Sequence, residues 1–242
     1  MQGYSRHQLK RDKFAETAQD AAEWTAGHQR AVFWGLGLAV LAVAGYFGFT
    51  TWQDRQSEKA NVALAAATRV LNSPLRPPGT PAGDTQSGDT FPSAAERAKA
   101  AQKEFTAAAD QYDRLPYPKA ARIARYMEGV AATQAGDKAQ AETVLKSVAE
   151  SRDKSIAALS KMALAQLYRD TNRQSDAARI YTDLADHPTD TVPKVQAQLA
   201  MAEMYETASP QQAATLYQQI QKENAATPAG QIAASRLASV NK

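Results

Sequence analysis

The chain has 242 residues, with 28 basic and 25 acidic side chains, three histidines and no cysteine. The lack of cysteine excludes disulfides, thiolate metal sites and thiol catalysis. The pI is near 9.0, but both signs of charge are spread evenly after residue 93, which is typical of a solvated surface and not of a nucleic-acid interface.

The most informative segment is an uncharged run over residues 31–53, between Arg30 and Asp54. Its apolar part, residues 31–49, spans roughly 28 Å as a helix, which matches the hydrocarbon core of a bilayer. We therefore expect one transmembrane helix over residues 31–53, with Trp34 and Trp52 at the two membrane interfaces. Small residues in this helix have a spacing that suits a partner helix, although it is also ordinary composition for a membrane helix: Gly35, Ala39, Ala44 and Gly48.

Basic residues are more frequent before the run than just after it. Five precede it and two follow within six residues of Gln53: Arg6, Lys10, Arg11, Lys13 and Arg30, then Arg55 and Lys59. This asymmetry predicts a cytoplasmic tail over residues 1–30. The rest of the chain then lies outside the cytoplasm, in the periplasm if the membrane is the inner membrane of a Gram-negative cell. The alternative is a signal peptide that is cleaved after Ala44.

Residues 54–72 contain neither glycine nor proline and predict a juxtamembrane helix. Residues 73–92 contain five prolines and three glycines, so they predict a loop. Residues 93–242 predict helices only. Capping patterns mark helix starts at Ser93, Asp137 and Ser209, and Gly136 is suited to a helix end. The fold class is therefore all-α.

Small and large residues recur with a period of about 36 in the helical region. The small positions are Gly129, Ala165 and Ala202, and the large positions are Leu145, Tyr181 and Tyr217. The pattern indicates two helices per unit, in which the small residue permits close approach and the large residue fills the space against the next unit. A helix with Phe105 and Tyr112 resembles the second half of a preceding unit, with residues 54–71 as its first half. A non-repetitive alanine-rich bundle is the alternative.

These stretches resemble the tetratricopeptide motif over about residues 120–223, best at Ala165 with Tyr168 and at Ala202 with Tyr205. The layout, with residues 46–52 at the membrane and alanine-rich repeats after Tyr117, is similar to the YfgM-type ancillary subunits of the SecYEG translocon. That resemblance implies a non-enzymatic accessory role, with contacts to the translocon and to emerging substrates or periplasmic chaperones. A tethered scaffold for cell division or cytochrome maturation, and a secreted soluble repeat protein, are the alternatives.

The sequence offers no arrangement for catalysis. The histidines His7, His28 and His187 are scattered, and no pair of them has metal-ligand spacing. We therefore expect no enzyme activity, no cofactor, no metal and no small-molecule substrate.

Binding of proteins is the remaining function. The first helix of each unit lines the concave face of such an array, where an extended peptide or a partner helix docks. The candidate partner-binding residues are Tyr126, Val130, Thr133, Met162, Gln166, Arg169, Leu199, Glu203 and Glu206. Tyr126, Met162 and Leu199 are equally compatible with a role in the core.

Overall fold

The computed structural model describes residues 29–77, 90–112 and 119–240. Nearly all of the predicted cytoplasmic tail lies outside the described residues, as does the middle of the predicted loop. Within the first helix, the side chains of residues 29, 31–33, 35 and 36 also lie outside, so Gly35 is not discussed further. The chain divides into two units, of which the first ends at Arg55 and the second begins at Gln56.

The described residues form nine α-helices and no strand, which confirms the all-α prediction; a single bridge joins Leu75 and Phe91. The helices are α1 Gln29–Leu71, α2 Ala94–Tyr112, α3 Lys119–Ala135, α4 Lys138–Ala149, α5 Lys154–Asp170, α6 Gln174–Asp186, α7 Lys194–Ala208, α8 Pro210–Glu223 and α9 Pro228–Val240.

The first helix is continuous through the predicted membrane and juxtamembrane segments. Trp34 and Trp52 are exposed, and so are Ala39, Ala44 and Gly48. Among the residues that the structure describes, no helix combines the length and the apolar character that crossing a membrane requires. The transmembrane helix therefore stays a prediction.

In the second unit, consecutive helices pair in chain order, namely α3 with α4, α5 with α6, and α7 with α8. Each helix packs mainly against its neighbours in the sequence. The first helices also meet between units, α3 against α5 and α7 against α9. The end of α1 packs on α2 through Ala67 and Phe105, both fully buried in one cluster. This contact agrees with the predicted extra half-unit before the repeats.

The predicted small and large positions are core residues. Leu145, Tyr181 and Tyr217 are each fully buried. The cluster of Tyr181 includes Met204 of α7, and that of Tyr217 includes Ala233 of α9. Each tyrosine therefore packs against the following unit as well as its own, which is how neighbouring units bury each other's apolar faces.

The turns inside the first two pairs share one backbone conformation. Gly136 and Asn172 lie 36 positions apart and both have left-handed backbone angles, with φ of 84° and 59°, which glycine and asparagine adopt at lowest cost. Asp137 caps α4 by accepting from the backbone N–H of Gln140 at 3.1 Å, as predicted. α8 begins directly after Ser209 with Pro210, which confirms the predicted helix start, but the predicted hydroxyl bond is wrong because the Ser209 side chain makes no capping hydrogen bond.

The two ends of the predicted loop are joined. The backbone N–H of Arg76 donates to the carbonyl oxygen of Phe91 at 2.7 Å, and that of Phe91 donates to the carbonyl of Pro74 at 3.3 Å. The Arg97 guanidinium adds a bond to the Ser73 carbonyl at 3.0 Å. These bonds hold the residues after α1 close to those before α2.

Gly129 gives a direct test of the packing rule. A Cβ at this position would lie 2.7 Å from two side-chain atoms of the fully buried Leu145. We expect Gly129→Val to lower the free energy of unfolding by about 2 kcal/mol, because overpacking costs about 1–3 kcal/mol. Urea unfolding followed by circular dichroism measures this. The double variant Gly129→Val/Leu145→Ala restores space, so it should lose less than the two single losses added together; strict additivity would contradict the contact.

Candidate functional site

The predicted partner-binding residues lie on α3, α5 and α7, the first helices of the three pairs. Eight of the nine side chains are half-buried, and Glu203 is exposed. They therefore form a surface that is partly engaged with the core, and their contacts separate them into three groups.

The large apolar members pack on the core. Tyr126 and Met162 lie against the cluster that contains Leu145 and Tyr181, and Leu199 lies against the cluster of Tyr217. Burial raises the pKa of the Tyr126 phenol. Each of these three side chains is partly exposed to solvent and partly packed on the core, where it stabilises the array. The interpretation as core residues therefore applies to the packed part of each side chain.

The polar members Thr133 and Gln166 each bond to a residue of their own helix. The Thr133 hydroxyl donates to the carbonyl oxygen of Gly129 at 3.0 Å, one turn back in α3. The Gln166 amide donates to the Asp170 carboxylate at 3.0 Å along α5. Val130, which precedes Thr133 by three residues on α3, is half-buried. Neither of these hydrogen bonds joins two helices.

The acidic members connect three helices. The Tyr217 hydroxyl of α8 donates to Glu206 of α7 at 2.7 Å, and Arg236 of α9 lies 3.7 Å from Glu206 and 3.9 Å from Glu203. Burial, reinforced by the hydrogen bond to Glu206, raises the pKa of Tyr217. Glu206 thus has a structural role that the sequence analysis missed, because Arg236 lies beyond the recognised repeats.

The charges of Arg169 and Glu203 both affect the pKa of one buried phenol, that of Tyr181. The Tyr181 hydroxyl is buried and, in the described part of the chain, has no hydrogen-bond partner. Burial raises its pKa; the charge of Arg169 opposes this and that of Glu203 reinforces it. An unsatisfied buried hydroxyl costs about 1–3 kcal/mol, so the Tyr181 hydroxyl offsets part of the stability gained by burying its ring.

Sequence reasoning also missed an ionic network on a side of α5 away from the predicted concave face. Glu142 of α4 accepts from Lys146 at 2.7 Å, from Arg173 at 2.9 Å and from the Tyr168 hydroxyl at 3.1 Å. The Arg173 guanidinium lies 4.0 Å from the centre of the Tyr168 ring and also bonds Asp176 at 2.9 Å. The partners are up to 31 residues apart, so only the i,i+4 pair of Glu142 and Lys146 was visible in the sequence.

No group of three or more His, Asp or Glu side chains among the described residues has a geometry that would hold a metal ion. The polar groups that the structure describes act mainly in joining helices.

The model of the family described as tetratricopeptide repeat-like domain matches residues 23–180. This is more than half of the chain, and the chain therefore belongs to that family. The match begins before α1 and ends in α6, so it starts earlier than the resemblance over residues 120–223 and does not reach α7, α8 or α9. No curated protein and no solved structure is significantly similar to the chain. A chain of this family is a helical-repeat scaffold for protein–protein contacts.

The Glu142 network predicts a specific pH dependence. Its hydrogen bond with Lys146, together with those from Arg173 and Tyr168, lowers the pKa of Glu142 to about 2. A carboxylate whose pKa is lowered by folding contributes stability above its ordinary pKa, and this contribution is lost as the pH falls towards 2. We expect Glu142→Gln to destabilise the chain by about 1 kcal/mol or less at pH 7, since exposed ion pairs are screened.

Urea unfolding of the parent and of Glu142→Gln at several pH values measures this difference. It should shrink between pH 5 and pH 2 and vanish at the lower end. Glu104→Gln, at an exposed position of α2, is the matched control and should show no such trend. A difference for Glu142→Gln that is constant with pH would contradict the network.

Proposed function

We propose that the chain is a single-pass membrane protein of the inner membrane, whose helical-repeat domain lies in the periplasm and holds partner proteins next to the Sec translocon. The observation that carries the proposal is the uncharged run of residues 31–53, which precedes the helix pairs of a tetratricopeptide repeat-like chain. The partners are translocon subunits in the membrane and emerging polypeptides or chaperones outside it.

The apolar character of the first helix surrounds its axis. Leu38, Val40, Leu41, Val43 and Tyr46 are all more than half exposed, and at about 100° per residue their positions are distributed around the whole circumference. A helix at a protein surface has one apolar stripe, whereas a helix that is apolar all round is surrounded by lipid or protein. This supports a membrane anchor better than an amphipathic surface helix.

The small residues of the anchor provide a place for a partner helix. No heavy atom lies within 4 Å of the Cβ position at Gly48, and Ala44 one turn earlier is exposed. Small residues let two helices in a membrane approach closely. This favours a helix of a membrane complex, and the resemblance to the YfgM-type subunits makes that complex the translocon.

The repeat array suits extended or helical protein segments. Its first helices carry an apolar floor of half-buried side chains with flanking charges such as Arg169 and Glu203. A rigid array pre-organises this surface, so a bound segment loses entropy but the scaffold does not. The proposal therefore assigns recognition of emerging polypeptides to α3, α5 and α7.

In-cell crosslinking tests the membrane contact. A photoreactive residue at Leu41, which is 72% exposed, should yield adducts with translocon subunits in isolated membranes. The matched control is the same residue at Val62, which is 65% exposed but lies beyond the proposed span, and it should yield none of these membrane adducts. Adducts of Leu41 with a different envelope complex would contradict the translocon role while preserving the anchor.

Topology is tested on the same membranes. Since the chain has no cysteine, Arg6→Cys and Lys103→Cys each introduce a unique thiol. In cells with a permeabilised outer membrane, a maleimide that cannot cross the inner membrane should label Lys103→Cys and not Arg6→Cys. The reverse pattern, or loss of the first 44 residues from the membrane-bound protein, would contradict the anchor.

A further inference from the structure

Two adjoining pockets lie in the second unit, on the side of α5 that faces α4 and α6. One has a volume of about 490 Å³ and the other about 460 Å³. Both are lined by Ala149, Lys161 and Asp183, so they form one continuous depression, which we call the α4–α6 groove. Its floor is apolar and includes Ala157 and Leu164 of α5.

The α4–α6 groove is distinct from the predicted concave face. Lys154 and Lys161 line the groove, whereas Met162, Gln166 and Arg169 belong to the concave set. At about 100° per residue, the two sets lie roughly 100° apart around α5. The central helix of the array therefore has two separate sides that face solvent.

The rim of the groove is predominantly basic. Its cations are Lys146, Lys154, Lys161, Arg173 and Arg179. The acidic residues at the groove, Asp176 and Asp183, are already paired with these cations. Lys161 lies 2.5 Å from Asp183, and both Arg173 and Arg179 pair with Asp176.

Two of the cations retain capacity for a ligand. Lys154 has no ion-pair partner within the described residues, and the Arg179 side chain is 78% exposed. An arginine has five N–H donors, of which its pair with Asp176 uses only part.

We propose that the α4–α6 groove binds a short extended segment of a partner protein in which acidic and apolar residues alternate. The side chains of an extended strand point alternately to opposite sides, so one set packs on the apolar floor while the other reaches the basic rim. The groove follows α5 from Lys154 to Tyr168, about 21 Å at 1.5 Å per residue, which accommodates about six extended residues. This surface depends neither on the membrane anchor nor on the concave face.

Charge complementarity selects the occupant. A neutral apolar segment would fill the floor but leave Lys154 and the remaining donors of Arg179 with water only, and a basic segment would be repelled. Complementary charge raises the association rate and makes binding sensitive to salt. An acidic segment satisfies the floor and the rim together.

The test uses the full chain in detergent and a fluorescent hexapeptide of alternating glutamate and leucine. Fluorescence anisotropy should show saturable binding that weakens with salt, and a peptide with glutamine in place of glutamate should bind at least ~10-fold more weakly. The double variant Lys154→Glu/Arg179→Glu should weaken binding of the acidic peptide by ~10-fold or more.

Two matched controls locate the effect. Lys103→Glu/Lys222→Glu changes net charge equally at exposed positions of α2 and α8 and should leave the affinity within about twofold, since distant exposed charges are screened. Arg169→Glu, on the concave side of α5, should do the same, which separates this proposal from the concave-face function.

Three results would overturn the proposal. They are the absence of saturable binding to the parent chain, equal losses in the groove variant and in the Lys103→Glu/Lys222→Glu control, and equal binding of the glutamine peptide. Self-association of the parent that the groove variant abolishes would assign the groove to a second copy of the chain instead.

Discussion

The array depends on the contact between a large side chain from the second helix of each pair and small residues of the helices around it. Leu145, Tyr181 and Tyr217 are buried completely because Gly129, Ala165 and Ala202 leave room for them. Each pair alone would expose an apolar face, so stability comes from stacking one unit on the next. The turns at Gly136 and Asn172 hold two of the pairs at the required spacing.

This packing leaves polar contacts to specify how the units are joined. The Glu142 network connects α4, α5 and α6 on one side of the array, and Glu206 with Arg236 connects α7, α8 and α9. Such exposed pairs contribute little stability singly. Their main consequence is the charge they leave at the surface, which is basic along the α4–α6 groove and mixed on the concave side.

More of the fold than of the candidate site could be predicted from the sequence. The helical periodicity and the 36-residue spacing of Leu145, Tyr181 and Tyr217 depend on local pattern, and they predicted the helices and the core. The partners of Glu142 and Glu206 could not be predicted, because they depend on how helices far apart in the chain approach each other. The start of α8 after Ser209 was predicted correctly, although the Ser209 side chain makes no capping hydrogen bond.

The central claim is that each buried tyrosine couples its own pair to the next, and hydrogen exchange measured by mass spectrometry on Tyr181→Ala tests it most directly. Removing the ring opens a cavity shared by α5, α6 and α7, because the cluster of Tyr181 includes Leu164 and Met204. The account predicts faster exchange in all three helices, with α2 unchanged. Faster exchange in α6 alone would contradict the coupling and favour helices that are stabilised independently.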